Sequence, residues 1–206
     1  MQASFFIHLN RQELEAGLGD IKRSPLDNGT LQMIVGRPAV DEREVLGEGR
    51  LDLVDGLVGD TWRTRENTTR PDGSADPEAQ LTVMNSRLAA LVAGTPDHGG
   101  LAGDQLYIDF DLSVRHLAAG SRLQMGEAVI EITAKPHRGC AKFAARFGNE
   151  ALRFVNTGEG LALNLRGRNA KVVMPGAIKR GDAVRRITPP HWQERASSAE
   201  SPESGG

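Results

Sequence analysis

In several stretches between residue 106 and residue 187 apolar and polar positions alternate with a period of two, the mark of strands that bury one face. Leu106, Ile108 and Phe110 alternate with Tyr107 and Asp109. Leu123 and Met125 lead through Gly126-Glu127 into Ala128-Val129-Ile130-Glu131-Ile132, a hairpin whose second arm sets Ala128, Ile130 and Ile132 on one face. Lys171 to Met174 form a further strand that stops at Pro175-Gly176, and Gly181-Asp182 turns the chain toward Val184 and Ile187. Short strands joined by glycine turns predict a mainly β chain, a β-rich α+β fold whose sheet closes or partly closes into a barrel with a few short helices.

Helical spacing appears twice. Met84 to Ala93 opens on Asn and Ser, keeps Leu88, Leu91 and Val92 on one face, and stops at Gly94. From Ala141 onward Phe143, Phe147, Ala151 and Phe154 recur at steps of four, four and three, an apolar stripe that Gly148-Asn149 is placed to interrupt. Pro136-His137-Arg138-Gly139-Cys140 leads into this second helix, so Cys140 is expected at or beside its N-terminus. Polar stretches at 64–79 and 94–105 read as loops, and the absence of apolar residues after Gln193 reads as a disordered tail. One domain over residues 1–192, with a tail from 193 to 206, is the organisation this implies.

Composition adds constraints. A chain of 206 residues buries enough surface for a core without disulfides, and its single cysteine leaves one free thiol in what is expected to be a reducing, cytoplasmic compartment. The run Phe5-Phe6-Ile7 is too short for a signal sequence, and no apolar stretch approaches the ~20 residues needed to cross a bilayer. Asn28-Gly29-Thr30 and Asn67-Thr68-Thr69 read as turn chemistry. Residues 135–188 hold twelve Lys or Arg against three Asp or Glu, an excess of nine positive charges, so that the rest of a chain of net charge −2 carries eleven negative ones. Such a segment suits an anion, although solvated surface charge accounts for it equally well. Scarce aromatics and the lack of stacking or zinc motifs argue against nucleic acid.

The thiol is the most distinctive chemistry. His137, Arg138 and Lys142 surround Cys140 in sequence, and cations beside a helix N-terminus suit the thiolate, the form that attacks sulfur, carries persulfide or ligates a soft metal. The competing reading is an inert small hydrophobe in the core. His8, His98, His116, His137 and His191 show no paired ligand spacing, and no nucleophile elbow, P-loop or dinucleotide fingerprint is present. Asp60, in Gly59-Asp60-Thr61-Trp62-Arg63, reads as a turn after the strand-like Leu57-Val58 or as an orienting carboxylate.

In their order these segments resemble a MOSC domain, the module named after the C-terminus of molybdenum cofactor sulfurases. Asp55 to Asp60 resembles that family's glycine-aspartate segment, Leu81 to Ala93 its next strand and helix, Leu101 to Ile108 its Gly-Glu-Asn-Leu region, and Gly120 to Ile132 its hairpin. His137-Arg138-Gly139-Cys140 falls where the family carries its cysteine, and Arg166 to Val172 with Gly176 to Val184 resemble its closing strands, over roughly residues 31–187 in all. Thr61-Trp62, Asp104-Gln105 and Gly139 depart from the family pattern of a basic pair, Glu-Asn and proline.

The resemblance implies a MOSC-type β-barrel that binds the molybdenum cofactor (molybdopterin), with Cys140 as catalytic residue and metal ligand. Asp60, His137, Arg138, Arg146 and Arg166 are the cofactor-binding candidates, the arginines because guanidinium suits phosphate. One implied activity is molybdenum-dependent reduction of a small N-oxygenated substrate with electrons from a redox partner protein. Another is a non-enzymatic sulfur carrier that takes persulfide on Cys140 from a cysteine desulfurase, whose pyridoxal phosphate belongs to that partner. A binding module with an inert cysteine is the third.

Overall fold

The computed structural model describes residues 8–65, 70–94 and 96–187. The run Phe5-Phe6-Ile7, the triplet Asn67-Thr68-Thr69 and the tail from 193 lie outside the described residues.

Seven strands close into a barrel. Around it run β1 (Gly29–Gly36), β11 (Ala183–Ile187), β7 (Arg122–Met125), β8 (Ala128–Ile132), β9 (Arg168–Met174), β5 (Leu81–Asn85) and β6 (Leu106–Asp109), and β6 pairs back onto β1. All neighbours are antiparallel except β5 and β6. Short β2 (Glu44–Leu46) adds to β1 outside the ring. The β7–β8 hairpin forms as the sequence predicts, pairing Leu123 with Ile130 and Met125 with Ala128, and its inward residues join Leu31, Ile34, Ile108 and Phe110 in the barrel core. Closure leaves few free strand edges.

Leu57-Val58 and Gly176 to Val184 are strand-like in the sequence, but nothing there shows that β10 (Gly176–Lys179), β3 (Glu48–Asp52) and β4 (Gly56–Leu57) pair into a second sheet. Strand β10 reaches β3 from far along the chain, a pairing that local alternation does not register.

Among the described residues four α-helices cover one side of the barrel: α1 (Arg11–Ile21), α2 (Ser86–Ala93), α3 (Ala141–Asn156) and α4 (Glu159–Ala162). Alternation along β6 therefore does not separate buried from exposed. Leu106 and Ile108 face the barrel interior, while Tyr107 is just as buried among Met84, Leu88, Phe143 and Phe147 in the layer beneath the helices. Helix α2 begins two residues later than the apolar spacing suggests. Met84 and Asn85 complete β5, and Asn85 Oδ1 caps the helix by accepting from the N–H groups of Arg87 (2.9 Å) and Leu88 (3.2 Å).

Helix α3 is two pieces. Gly148 interrupts it with φ 90° and ψ 162°, a conformation open to glycine and strained for other residues. The break rephases the second half: Phe143, Phe147 and Ala151 are buried as their spacing predicts, but Val155 takes the inward position and Phe154 is only partly covered.

Candidate functional site

Two buried ion pairs lie at one end of the barrel. Strand β1 delivers Arg37, and the turn after β4 delivers Asp60. The guanidinium grips the carboxylate at two points, Nε to Oδ2 at 2.7 Å and Nη2 to Oδ1 at 2.8 Å. The backbone N–H groups of Arg37 (3.2 Å) and Trp62 (2.8 Å) also donate to Asp60, and the third guanidinium nitrogen, Nη1, donates to the Gly103 carbonyl at 3.1 Å. Asp60 thus accepts four donors with its side chain fully buried.

One residue past Gly103 the second pair begins. Arg166 Nη1 meets Asp104 Oδ2 at 2.6 Å, its Nη2 donates to the Ala102 carbonyl at 3.0 Å, and its guanidinium carbon stands 5.1 Å from the centroid of the Phe143 ring. The remaining oxygen, Asp104 Oδ1, has no hydrogen-bond partner and faces His137 Nδ1, also unpartnered, at 3.5 Å. Burial first, and then the charge of Arg166, push His137 down to about 4 from its ordinary 6.5, so the imidazole is neutral at pH 7.

The segment carrying His137 and Cys140 is pinned by two asparagines. Asn169 Nδ2 donates to the carbonyls of Lys135 (3.1 Å) and Pro136 (3.2 Å). Asn156, at the end of α3, accepts from the Gly139 N–H and donates back to its carbonyl. Cys140 then becomes the N-cap of α3 with extended backbone and no capping bond from its side chain, and it is exposed to solvent. The expected position at a helix N-terminus is what the structure shows, although the helical piece that follows runs only from Ala141 to Phe147 before the break.

Of the residues singled out in the sequence, Asp60, His137 and Arg166 belong to this network, linked through Gly103 and Asp104. Arg146 borders it, donating to the Leu101 carbonyl at 2.6 Å. Arg138 is exposed and makes no ion pair with any described residue. Sequence reasoning did not single out Arg37, Arg43 or Arg65. Partial desolvation and neighbouring cations, Arg146 and Arg37 for the half-buried Arg43 and Arg37 for the exposed Arg65, hold both below the usual guanidinium range. The one available signal for Arg37 is its place at the end of the apolar run Met33-Ile34-Val35, directly before a proline.

No family model matches this chain, and no curated protein does either. Solved structures do. YuaD from Bacillus subtilis superposes with a TM-score of 0.53 at 16% identity over 76% of this chain and 94% of its own. YiiM from Escherichia coli gives 0.50 at 19% identity over 78% and 71%. A crystal structure of a hypothetical protein gives 0.52 at 19% identity over 79% and 70%. The chain shares the fold of these proteins. At these identities the likeness speaks for the architecture of the barrel and leaves its chemistry to its own side chains.

Among the described residues no three His, Cys, Asp or Glu side chains gather closely enough to hold a metal ion by themselves, and no helix is long and apolar enough to cross a membrane. A groove of about 790 Å³ lies elsewhere, between α1, α2 and the outer face of β1 and β6, with Met33, Leu91 and Tyr107 in its lining.

Proposed function

We propose that the chain binds an anionic cofactor of the molybdopterin class at this end of the barrel, with the Cys140 thiolate as ligand to its metal. The placement of Cys140 carries the reading: an exposed thiol, unspent on capping, on a segment clamped by Asn156 and Asn169. Exposure removes packing as the reason for the residue, since a cysteine that serves as a small hydrophobe belongs in the core.

The surrounding residues fit such a group. Among the described residues, Arg37, Arg43, Arg65, Arg146 and Arg166 lie about two buried carboxylates, Asp60 and Asp104, and the Nε atoms of Arg43 and Arg166 are buried without partners. Positive charge and unspent donors are what an anion requires. A metal at Cys140 would take one soft sulfur ligand from the protein and the rest from the cofactor. When bound, such a group supplies two-electron redox chemistry, for which a small N-oxygenated substrate and a redox partner protein complete the reaction. The chain's own part is electrostatic and positional. Asp60 holds Arg37 in place, Asp104 holds Arg166 beside the neutral His137, and the clamp on Gly139 fixes where Cys140 emerges.

Metal and pterin content of wild type and Cys140→Ala, expressed side by side in a molybdenum-replete host, tests the reading. Molybdenum and pterin are expected with the wild type, and molybdenum is expected to be lost from the variant. A wild type free of both sinks it. The exposure of Cys140 also favours a second reading, in which a cysteine desulfurase reaches the thiol and loads it with persulfide. Cyanide-releasable sulfur after incubation with such an enzyme is then expected from wild type, and equal loading of Cys140→Ser removes that reading.

A further inference from the structure

The groove between α1, α2 and the outer face of β1 and β6 stands apart from the buried ion pairs, and neither Asp60, Asp104 nor Cys140 lines it. Its volume of about 790 Å³ is that of a small-molecule pocket. Apolar side chains that the core leaves uncovered form its floor. Met33 and Leu91 are only partly buried, and Val45 on β2 is 59% exposed. Gly17 lets the two helices meet at the bottom, since a Cβ there would lie 2.5 Å from Leu91 Cδ2.

Strand β1 bulges at this groove. Leu31 stands opposite Ile108 and Met33 opposite Tyr107, so Gln32 is an extra residue without a partner on β6. It is exposed and lines the groove together with Met33, and its side-chain amide makes no hydrogen bond with any described residue. Bulges re-aim side chains in this way and recur beside functional sites.

The charges along the groove are matched except for one. Arg87 grips Asp109 at two points, 2.7 and 2.9 Å, and also donates to the carbonyl and the carboxylate of Asp20, while Arg23 donates to the same Asp20 carboxylate at 3.0 Å. Two guanidiniums therefore answer two carboxylates. Arg180, in the turn between β10 and β11, also lines the groove, is exposed, and makes no ion pair with any described residue.

We propose that this groove binds a free aliphatic monocarboxylate of medium chain length. The chain lies over Met33, Leu91 and Val45, and the carboxylate meets Arg180, with the Gln32 amide as a second donor. Charge decides the head group. A cation would have to break pairs that Asp20 and Asp109 already make, and a dianion brings one more negative charge than Arg180 balances. The floor decides the body. Unbranched Met33 adapts to a flexible chain, whereas Tyr107, the one aromatic residue in the lining, is fully buried with its hydroxyl tied to the Asp104 N–H and the Gly100 carbonyl, so no ring is free to stack on another. This site draws on neither the thiol nor a metal and stands independently of the cofactor reading.

Calorimetric titration of the intact protein with hexanoate, octanoate and decanoate, each below its micelle concentration and at low ionic strength, tests it. One molecule is expected per protein, with affinity rising about twofold to fourfold for each added methylene until the groove is filled. Arg180→Gln should weaken decanoate binding about threefold to fivefold and leave 1-octanol binding unchanged, because the alcohol brings the chain without the charge. Ala90→Trp, at an exposed position on the α2 wall, should fill the groove and abolish binding, with a thermal midpoint close to that of wild type. Arg185→Gln, which removes an exposed guanidinium outside the groove, should bind decanoate as wild type does. Equal decanoate affinity in Arg180→Gln and wild type overturns the proposal, as does octyltrimethylammonium bound as tightly as octanoate, or several molecules taken up per protein. A folded Ala90→Trp protein that still binds decanoate puts the ligand elsewhere and overturns it too. Should Ala90→Trp fail to fold, the split between decanoate and 1-octanol in Arg180→Gln decides alone.

Discussion

Asn156 holds Gly139 from both sides: its Oδ1 accepts the Gly139 N–H at 2.9 Å, and its Nδ2 donates to the Gly139 carbonyl at 3.0 Å. The residue next to Cys140 is thereby fastened to the far end of the helix whose N-cap position Cys140 occupies. Asn156→Ala removes both bonds and should lower stability by about 1–3 kcal/mol, the cost of leaving two partly buried backbone groups unmatched. Alkylation of Cys140 in the folded protein should change rate as the segment loosens. An unchanged denaturation midpoint together with an unchanged alkylation rate would show that the clamp does not position the cysteine.

Gly148 separates the two pieces of α3 at φ 90° and ψ 162°, and a Cβ there would come within 3.0 Å of the His8 Cβ and ring. Gly148→Ala meets strain from the backbone and crowding from the side chain together. A loss of about 1–3 kcal/mol in urea denaturation is expected. A stability equal to wild type would mean that the helix runs straight through residue 148.

His137 supplies a pH dependence. Its folded value lies at about 4 against an ordinary 6.5, so between those pH values the unfolded chain binds the proton and the folded chain does not. Stability from this group is fully present above about pH 6.5 and is lost as the pH falls toward 4. Carboxylates titrate in the same window, so the measurement is the difference between wild type and His137→Gln. That difference should grow by on the order of 2–3 kcal/mol from pH 4 to pH 6.5. Parallel pH profiles would remove the assignment.

Parts of this arrangement were legible in the sequence and parts were not, for physical reasons. The β7–β8 hairpin was readable because alternation and a glycine turn coincide at Leu123 to Ile132, and α2 because its Asn cap and Gly94 stop both lie next to its apolar face. Helix α1 escaped notice. Gly17 and Gly19 interrupt its helical spacing, Gly17 being where Leu91 of α2 packs against it, and the remaining signal was the capping box between Asn10 and Glu13. Cys140, His137 and Asp60 stood out because each carries unusual local context. Arg37 did not, and neither did the pairing of Arg166 with Asp104, since Arg37 is 23 residues from Asp60 and Arg166 is 62 from Asp104, and ion pairing across such separations depends on barrel closure rather than on local pattern. The overlooked cations, Arg43 and Arg65, matter for the same reason: a guanidinium is ordinary in a loop until the fold places it beside others.

The two buried carboxylates of the site should respond differently to the same change. Every acceptor position used on Asp60 faces a donor, two from the Arg37 guanidinium and two from backbone N–H groups. Asp60→Asn must turn its new amide toward at least one of these donors and also leaves Arg37 without its counter-charge. Removing one partner of a buried pair costs about 3–5 kcal/mol, and a loss in that range is expected. Asp104 is not so constrained. Its Oδ2 takes Arg166, but Oδ1 has no hydrogen bond and faces the neutral His137, whose Nδ1 can accept from an amide. Asp104→Asn can keep the bond from Arg166 and gain one to His137, while the Phe143 ring continues to support the cation. Its loss should therefore be smaller than that of Asp60→Asn by about 1 kcal/mol or more in urea denaturation at pH 7. An Asp104→Asn protein destabilised as much as Asp60→Asn would mean that charge, not hydrogen-bond matching, governs both pairs, and that His137 contributes nothing to holding Asp104.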